Sequence, residues 1–369
     1  MSATIENGIA APPKAPPALA GYTIDHDRAR EFRDNGKLLT MRLETSRVCN
    51  LRCLYCHNGA GARNRRELSF PAMCQAVDEV RALGAQSVVV IGGGEPLLYE
   101  HIISLISHIS GLRMIPVIIT NGLMLTRELC SIFQDNNVSI LLKCDSFNAG
   151  TQDTLCGRTG AHAAIMRAIE LLMRAGANTP GSLDLRAGLS FVVTRLNSGD
   201  IPALWKFCRE NGFYPNFEEF IPRGRGLTNY DALYLDKRSV FALKEKLLAF
   251  DRSNYGYDWL IHAPLPGHGC FQPLCSVYVT SSGEVRPCPD IEVSLSNVEE
   301  RSIAEIIETP FFRLSRNVDR HLRGKCRSCR HGRTCMGCRG NAFSVGVMHG
   351  MSAEAALCSP DPLCLERRP

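Results

Sequence analysis

The sequence predicts an α/β fold, a parallel sheet covered by helices, followed by a smaller cysteine-rich region. Three observations carry this. From about residue 38 to residue 250, short apolar runs alternate with segments of helical period. Several apolar runs end in polar or glycine turns, as in Val88-Val-Val-Ile-Gly92-Gly-Gly and Ile118-Ile-Thr-Asn-Gly122. After Gly267 the chain becomes short, Gly/Pro-broken and rich in cysteine.

The strand candidates are 38–43, 87–91, 115–120, 138–142, 187–194 and 214–220. Helical patterns fall between them at 70–83, 102–110, 126–135, 162–174 and 201–211, with one more at 239–250. Repetition of this kind argues a parallel sheet under helical crossovers. Periodicity alone fits both an incomplete barrel and a doubly wound open sheet. Either arrangement puts chemistry at the C-terminal ends of the strands.

The 369 residues suffice for one large domain and a smaller one. We divide them into a flexible lead-in (1–37), the strand–helix region (38–250) and the cysteine-rich region (251–369). The first twenty residues are rich in Ala and Pro, with no apolar segment of signal-peptide type. No run of eighteen apolar residues exists to span a membrane. A net charge of +5 is too mild for a nucleic-acid partner, and the basic residues are scattered apart from Arg63-Asn-Arg-Arg66 and the cysteine-rich tail, which read as solvated surface or charge near anionic clusters. Seventeen cysteines, an odd number in a leaderless chain, point to metal or redox work in a reducing cytoplasm.

Cys49-x3-Cys53-x2-Cys56 directly follows the first strand candidate. Thiolates are the usual ligands of iron–sulfur clusters, and three leave one iron of a four-iron cluster open to another ligand. Structural zinc sites are closed sets of four, usually paired CxxC units, and explain this spacing poorly. Three buried small hydrophobes are the bland alternative, which such tight spacing disfavours. Further on, Gly92-Gly93-Gly94-Glu95-Pro96 joins close backbone approach to a single carboxylate. Thr120-Asn121-Gly122 is a turn, and Lys143 closes the fourth strand with a cation suited to a carboxylate. Glu218-Glu219 and Arg223 stand at the end of the sixth strand, where they suit a polar substrate or a salt-bridged loop.

With Tyr55 just before its third cysteine, the triplet resembles the signature of radical S-adenosylmethionine (AdoMet) enzymes. The resemblance implies an incomplete (β/α)6 barrel of TIM type. In that family the open iron binds the methionine part of AdoMet. One electron from the cluster then cleaves the sulfonium, and a 5′-deoxyadenosyl radical takes hydrogen from substrate. The glycine turn is similar to the family's GGEP segment, so Gly93, Gly94 and Glu95 are expected to hold the cofactor's ammonium. Tyr55, Thr120, Asn121 and Lys143 join them on the cofactor side. Ile221-Pro-Arg223-Gly-Arg225 is similar to a passage lining the substrate side, which makes Glu219 and Arg223 catalytic candidates.

The tail holds Cys270, Cys275 and Cys288, then Cys326-x2-Cys329-x5-Cys335-x2-Cys338, and finally Cys358 and Cys364. Zinc knuckles account for four sulfurs, and these are more than eight. The layout resembles the SPASM extension, which implies two auxiliary [4Fe-4S] clusters. The first would take Cys270, Cys275, Cys288 and Cys338. The second would take Cys326, Cys329, Cys335 and a last cysteine, either Cys364 or Cys358, with Asp361-Pro-Leu-Cys364 matching the family's usual final motif and favouring Cys364. Cys335-Met-Gly-Cys338 is one residue shorter than the usual spacing. Some SPASM oxidases keep an aspartate beside the cysteine matching Cys288 as proton acceptor; Asp290 is offset from that place by one position. Cys74, Cys130, Cys144, Cys156 and Cys208 fall in helix or strand patterns and read as core.

These features together imply an oxidoreductase in which a base deprotonates the substrate radical and an auxiliary cluster takes the surplus electron. A flavodoxin or ferredoxin would be its electron donor. The expected substrate is a small polar natural-product intermediate, sugar- or aminocyclitol-like, because no leader-peptide-binding domain is evident. Maturation of a ribosomal peptide is the alternative. A non-catalytic zinc or electron-transfer protein is the contrasting class.

Overall fold

A computed structural model describes residues 14–178, 182–261, 264–265 and 270–364. In chain order its strands are β1 (Ala18–Leu19), β2 (Thr40–Leu43), β3 (Ser87–Ile91), β4 (Ile115–Thr120), β5 (Ser139–Lys143), β6 (Asp184–Leu185), β7 (Ala187–Val193), β8 (Tyr214–Glu219), β9 (Ser276–Val279) and β10 (Val285–Arg286). The main sheet runs β10-β9-β2-β3-β4-β5-β7-β8. Its six central neighbours are parallel and lie in the order of the sequence. A doubly wound sheet reverses strand order at a switch point, and this one does not. With crossovers of one hand, unreversed order puts every connecting helix on the same face, so the sheet curls into a partial barrel.

Residue alternation sorts the two faces. Val88 and Val90 of β3 pack into the helix-side core with Met41, Leu43 and Ile118. Val89 and Ile91 point into the lumen with Val117, Ile119 and Leu141. The helix Phe70–Ala82 shows how the outer layer forms. Ser69 caps it by accepting from the Ala72 N–H, Pro71 sits in its first turn, and Met73, Ala76, Val77 and Val80 bury one face. The helix Ile201–Glu210 is tied to the long helix Lys237–Tyr255 through Asp251, which is fully buried. Asp251 accepts from Trp205 Nε1 (2.9 Å), Trp259 Nε1 (3.0 Å), Arg209 Nε (3.0 Å) and Arg209 Nη2 (2.7 Å).

Two regions differ from the sequence reading. A flexible lead-in was expected over 1–37, yet residues 14–37 are packed and only 1–13 lie outside the described residues. β1 pairs in parallel with β6, and Leu19 and Tyr22 are buried in the lumen cluster, so this segment plugs the base of an unclosed barrel. The helix His26–Asp34 follows, capped by Asp25 and joined to the tail by Arg33–Asp319 (2.6 Å). The division drawn at 250/251 falls inside the helix Lys237–Tyr255. Beyond it the chain returns to the barrel: β9 lies parallel beside β2, with Thr40 opposite Ser276 and Leu43 opposite Val279. β10 completes an antiparallel pair with β9. The remaining tail packs a second core around Phe271, Leu274, Ile291 and Phe343.

Candidate active site between the cysteine sets

The loop carrying Cys49, Cys53 and Cys56 leaves the C-terminal end of β2 and is stitched to its neighbours through backbone groups. Gly94 N–H donates to Ser46 C=O (2.7 Å) and Glu95 N–H to Val48 C=O (2.8 Å). A Cβ on Gly94 would collide with the Val48 carbonyl, so only glycine lets β3 approach this loop. Arg225 braces the other side: its N–H donates to Cys56 C=O (3.0 Å), Nε to Cys53 C=O (3.0 Å) and Nη1 to Ala60 C=O (2.7 Å). Gly224, at φ +51°, lies against the His57 carbonyl. The Gly224–Arg225 passage therefore clamps the cysteine loop.

Burial pushes the Cys49 thiol up to about 11, and the nearby Cys53 and Cys56 push in the same direction. Cys53 is raised by a hydrogen bond with Cys156 and by burial. Crowded, buried thiols become thiolates together only around a cation, so the donor set fits an iron–sulfur cluster. Cys156, read from sequence as core, ends the helix Ala149–Cys156, and both it and Cys53 line the lumen.

Glu95, Thr120 and Asn121 form one buried network at the ends of β3 and β4. Glu95 Oε1 accepts from Leu97 N–H (3.0 Å) and the Thr120 hydroxyl, and Oε2 from Asn121 N–H (2.8 Å). Asn121 Nδ2 donates to Asn50 Oδ1 (2.7 Å), linking this network to the cysteine loop. The Tyr55 hydroxyl donates to Asp145, a buried acid just past β5 that the sequence reading left without a role. Asp145 also accepts from Val192 N–H (2.8 Å) and so fixes the Tyr55 ring. Lys143 Nζ stands 5.5 Å from that ring centroid and 3.3 Å from Glu218 Oε2.

A cavity of about 300 Å3 connects these residues to the tail. Cys49, Cys53 and Cys56 line it on one side, and Cys270, Cys288 and Cys338 on the other. Gly93, Gly94, Glu95, Thr120, Asn121, Tyr55, Lys143, Glu219 and Asp290 also reach it. Arg223 is not among the lining residues; it pairs with Asp290 (3.0 Å) and Glu292, joining barrel to tail. Glu219 pairs with Lys244 of the long helix. Arg42 on β2 was missed by sequence reasoning, although its place between Met41 and Leu43 marks it as lumen-facing.

The tail cysteines separate into two groups. Cys270, Cys275, Cys288 and Cys338 feel one another electrostatically: Cys270 bears on the other three, and Cys288 bears on Cys338. Burial pushes Cys275 up to about 12 and raises the other three thiols. Cys335 is also pushed up to about 12 by burial, with Cys364 and Cys326 beside it. Cys329 lies in the turn after Cys326. The buried Cys358 has Arg323, Arg339 and Glu354 as its charged neighbours.

Lys143 and Glu218 make a testable pair. Burial opposes the charge on both, but their mutual attraction outweighs it, lowering the pKa of Glu218 and raising that of Lys143. A lowered carboxylate contributes stability above its unfolded pKa, and that contribution is lost as pH falls through the folded value. Lys143→Met is therefore expected to flatten the loss of unfolding free energy between about pH 5 and pH 3. Urea titrations across that range check it; an unchanged acid limb would show that the pair is not coupled.

The partial barrel, the three-thiol loop and the second cysteine region define a radical AdoMet enzyme with an iron–sulfur extension, and comparison with known proteins agrees. The Radical SAM superfamily model matches residues 43–190, and the SPASM iron-sulfur cluster-binding domain matches residues 270–330. The chain belongs to the radical SAM superfamily and carries a SPASM domain; it is an enzyme that uses [4Fe-4S] clusters and AdoMet. It is 26% identical over 336 residues to the AdoMet-dependent heme synthase of Methanosarcina barkeri, covering 82% of this chain and 91% of that protein. It is 27% identical over 342 residues to the PqqA peptide cyclase of Gluconobacter oxydans, covering 88% and 90%. The crystal structure of Streptococcus suis SuiB bound to S-adenosylmethionine superimposes with a TM-score of 0.68 at 18% identity, covering 90% of this chain and 78% of that one. No described helix is long and apolar enough to cross a membrane.

Proposed function

We propose that the chain is a radical AdoMet maturase that oxidises or cross-links a ribosomally made peptide. The carrying observation is the lumen wall, mostly apolar but with hydrogen-bonding groups of both kinds set into it. Arg42, Lys143, Arg339 and Asn341 donate, while Glu218, Glu219 and Asp290 accept. A peptide presents an N–H and a C=O at nearly every residue and suits such a wall. Correspondence with the peptide cyclase along 88% of the chain supports this reading above the sugar- or aminocyclitol-like substrate.

Cys49, Cys53 and Cys56 would hold the AdoMet-binding cluster, with Gly93, Gly94, Glu95, Thr120 and Asn121 on the cofactor's methionine side. Bound there, cluster and AdoMet supply the one-electron cleavage of the sulfonium and the hydrogen-atom abstraction that follows. Tyr55, fixed by Asp145, and Lys143 would border the cofactor. Cys270, Cys275, Cys288 and Cys338 would hold one auxiliary cluster, and Cys326, Cys329, Cys335 and Cys364 the other. Asp290, at the cavity wall, would accept the substrate proton, with Arg223 holding its carboxylate in place. Walls that exclude water protect a reactive carbon centre from side reactions.

The test is deuterium transfer. Candidate precursor peptides encoded near the gene, deuterated at successive side chains, are incubated anaerobically with reduced enzyme and AdoMet. Deuterium in 5′-deoxyadenosine supports the proposal. Transfer from a deuterated aminocyclitol or porphyrin, with none from any peptide, would overturn it.

A further inference from the structure

We infer that the surface around Cys326, Cys329, Cys335 and Cys364 is the docking site for a small, acidic, one-electron carrier protein of flavodoxin or ferredoxin type. The inference rests on the proposal that these thiols hold a cluster, and is independent of what the substrate is.

Residues 320–335 hold five arginines, one lysine and two histidines, with no carboxylate among them. Arg323, Arg327, Arg330 and Arg333 are exposed. Elsewhere some surface arginines are matched, Arg63 to Glu67, Arg66 to Glu299, Arg252 to Asp258 and Arg313 to Glu308, while others such as Arg65, Arg113 and Arg167 stand singly without an ion pair among the described residues. Within the stretch Arg320 pairs with Asp34, whereas Arg323, Arg327 and Arg333 make no ion pair among the described residues. Five arginines and one lysine with no carboxylate over sixteen residues concentrate positive charge on this stretch.

The field surrounds the more accessible of the two tail cysteine groups. Cys326, Cys329, Cys335 and Cys364 are all partly exposed, whereas Cys275 and Cys288 of the other group are buried. Electron transfer needs the two centres close together, and this is where a partner's centre can come nearest the tail thiols. Leu314 and Leu322 line a shallow hollow with Arg320, Arg323 and Arg327, giving an apolar foothold in a rim where Glu354 is the one carboxylate among the described residues. Nucleic acid fits less well, because no Phe, Tyr or Trp lies between residues 320 and 335 for bases to stack on. One electron crosses per encounter: the cluster is oxidised by one, the oxidised carrier is reduced by one, and no covalent bond changes.

The experiment titrates reconstituted holoenzyme with an acidic, oxidised flavodoxin by calorimetry, at about 20 mM and about 200 mM salt. Arg323→Glu/Arg327→Glu/Arg333→Glu is compared with wild type and with Arg65→Glu/Arg66→Glu on another basic face. The triple variant should weaken binding at least about tenfold at low salt, flatten the salt dependence, and keep wild-type iron, sulfide and dithionite-driven AdoMet cleavage. The Arg65/Arg66 variant should bind as wild type does. If the charge reversal reduces cluster content, the neutral Arg323→Gln/Arg327→Gln/Arg333→Gln variant replaces it and should weaken binding at least about threefold. Unchanged affinity in the cluster-loaded variant, or equal loss in the Arg65/Arg66 variant, would overturn the inference. So would single-stranded DNA binding more tightly than flavodoxin and losing that affinity in the triple variant.

Discussion

Cys53→Ala is expected to lower 5′-deoxyadenosine formation at least about a thousandfold, equivalent to about 4 kcal/mol of lost barrier reduction. Cys53 lines the lumen between Cys49 and Cys56, and its carbonyl is held by Arg225. Removing its sulfur leaves two thiols where three are needed to anchor a cluster with one open iron. Iron should fall by about four atoms per chain while the tail clusters remain. The protein should still fold, because Arg225 and Gly94 grip this loop through backbone carbonyls that the substitution leaves alone. Anaerobic iron analysis, circular dichroism and product chromatography together check the prediction. Retained cleavage in a fully loaded Cys53→Ala protein would end the radical reading of this loop.

Asp251→Ala is expected to cost about 3–5 kcal/mol in unfolding free energy, read from urea titration. Three side chains send four hydrogen bonds to this one carboxylate, and the Arg209 guanidinium is only 4% exposed. Without Asp251 the arginine remains buried with no counter-charge, and two indole N–H groups lose their acceptor. Asp251→Asn should retain part of the stability, since its amide oxygen still accepts. A loss below about 1 kcal/mol in Asp251→Ala would mean that water or a rearranged neighbour replaces the carboxylate.

The barrel was legible because its elements advertise their period. The runs at 87–91 and 115–120 became β3 and β4 with the same bounds, and the helix read over 102–110 spans Ile102–Gly111. Parallel strands buried on both faces are continuous apolar runs, which sequence shows plainly. What it could not distinguish was barrel from open sheet, since strand order is a property of space.

Other pieces lacked a local signal altogether. β1 and β6 have two residues each, too few for alternation, and exist because they pair with each other across the fold. β9 takes its place beside β2 from more than 230 residues away in sequence, as the Thr40–Ser276 register shows. Asp145 acquires its task only when Tyr55 is brought to it. The cysteines were readable as chemistry from spacing, whereas their grouping in the tail, with Cys338 crossing back toward Cys270 and Cys288, came from the family resemblance and not from spacing.

The pairing of β9 with β2 also makes the tail a guard for the barrel. A truncated chain ending before Cys270 would leave β2 as a bare edge strand, with Met41 and Leu43 alternating with Thr40 and Arg42. Unsatisfied amides and carbonyls along such an edge recruit strands from other molecules. The cost of losing the SPASM region would therefore appear first as self-association, before any defect in radical chemistry could be measured.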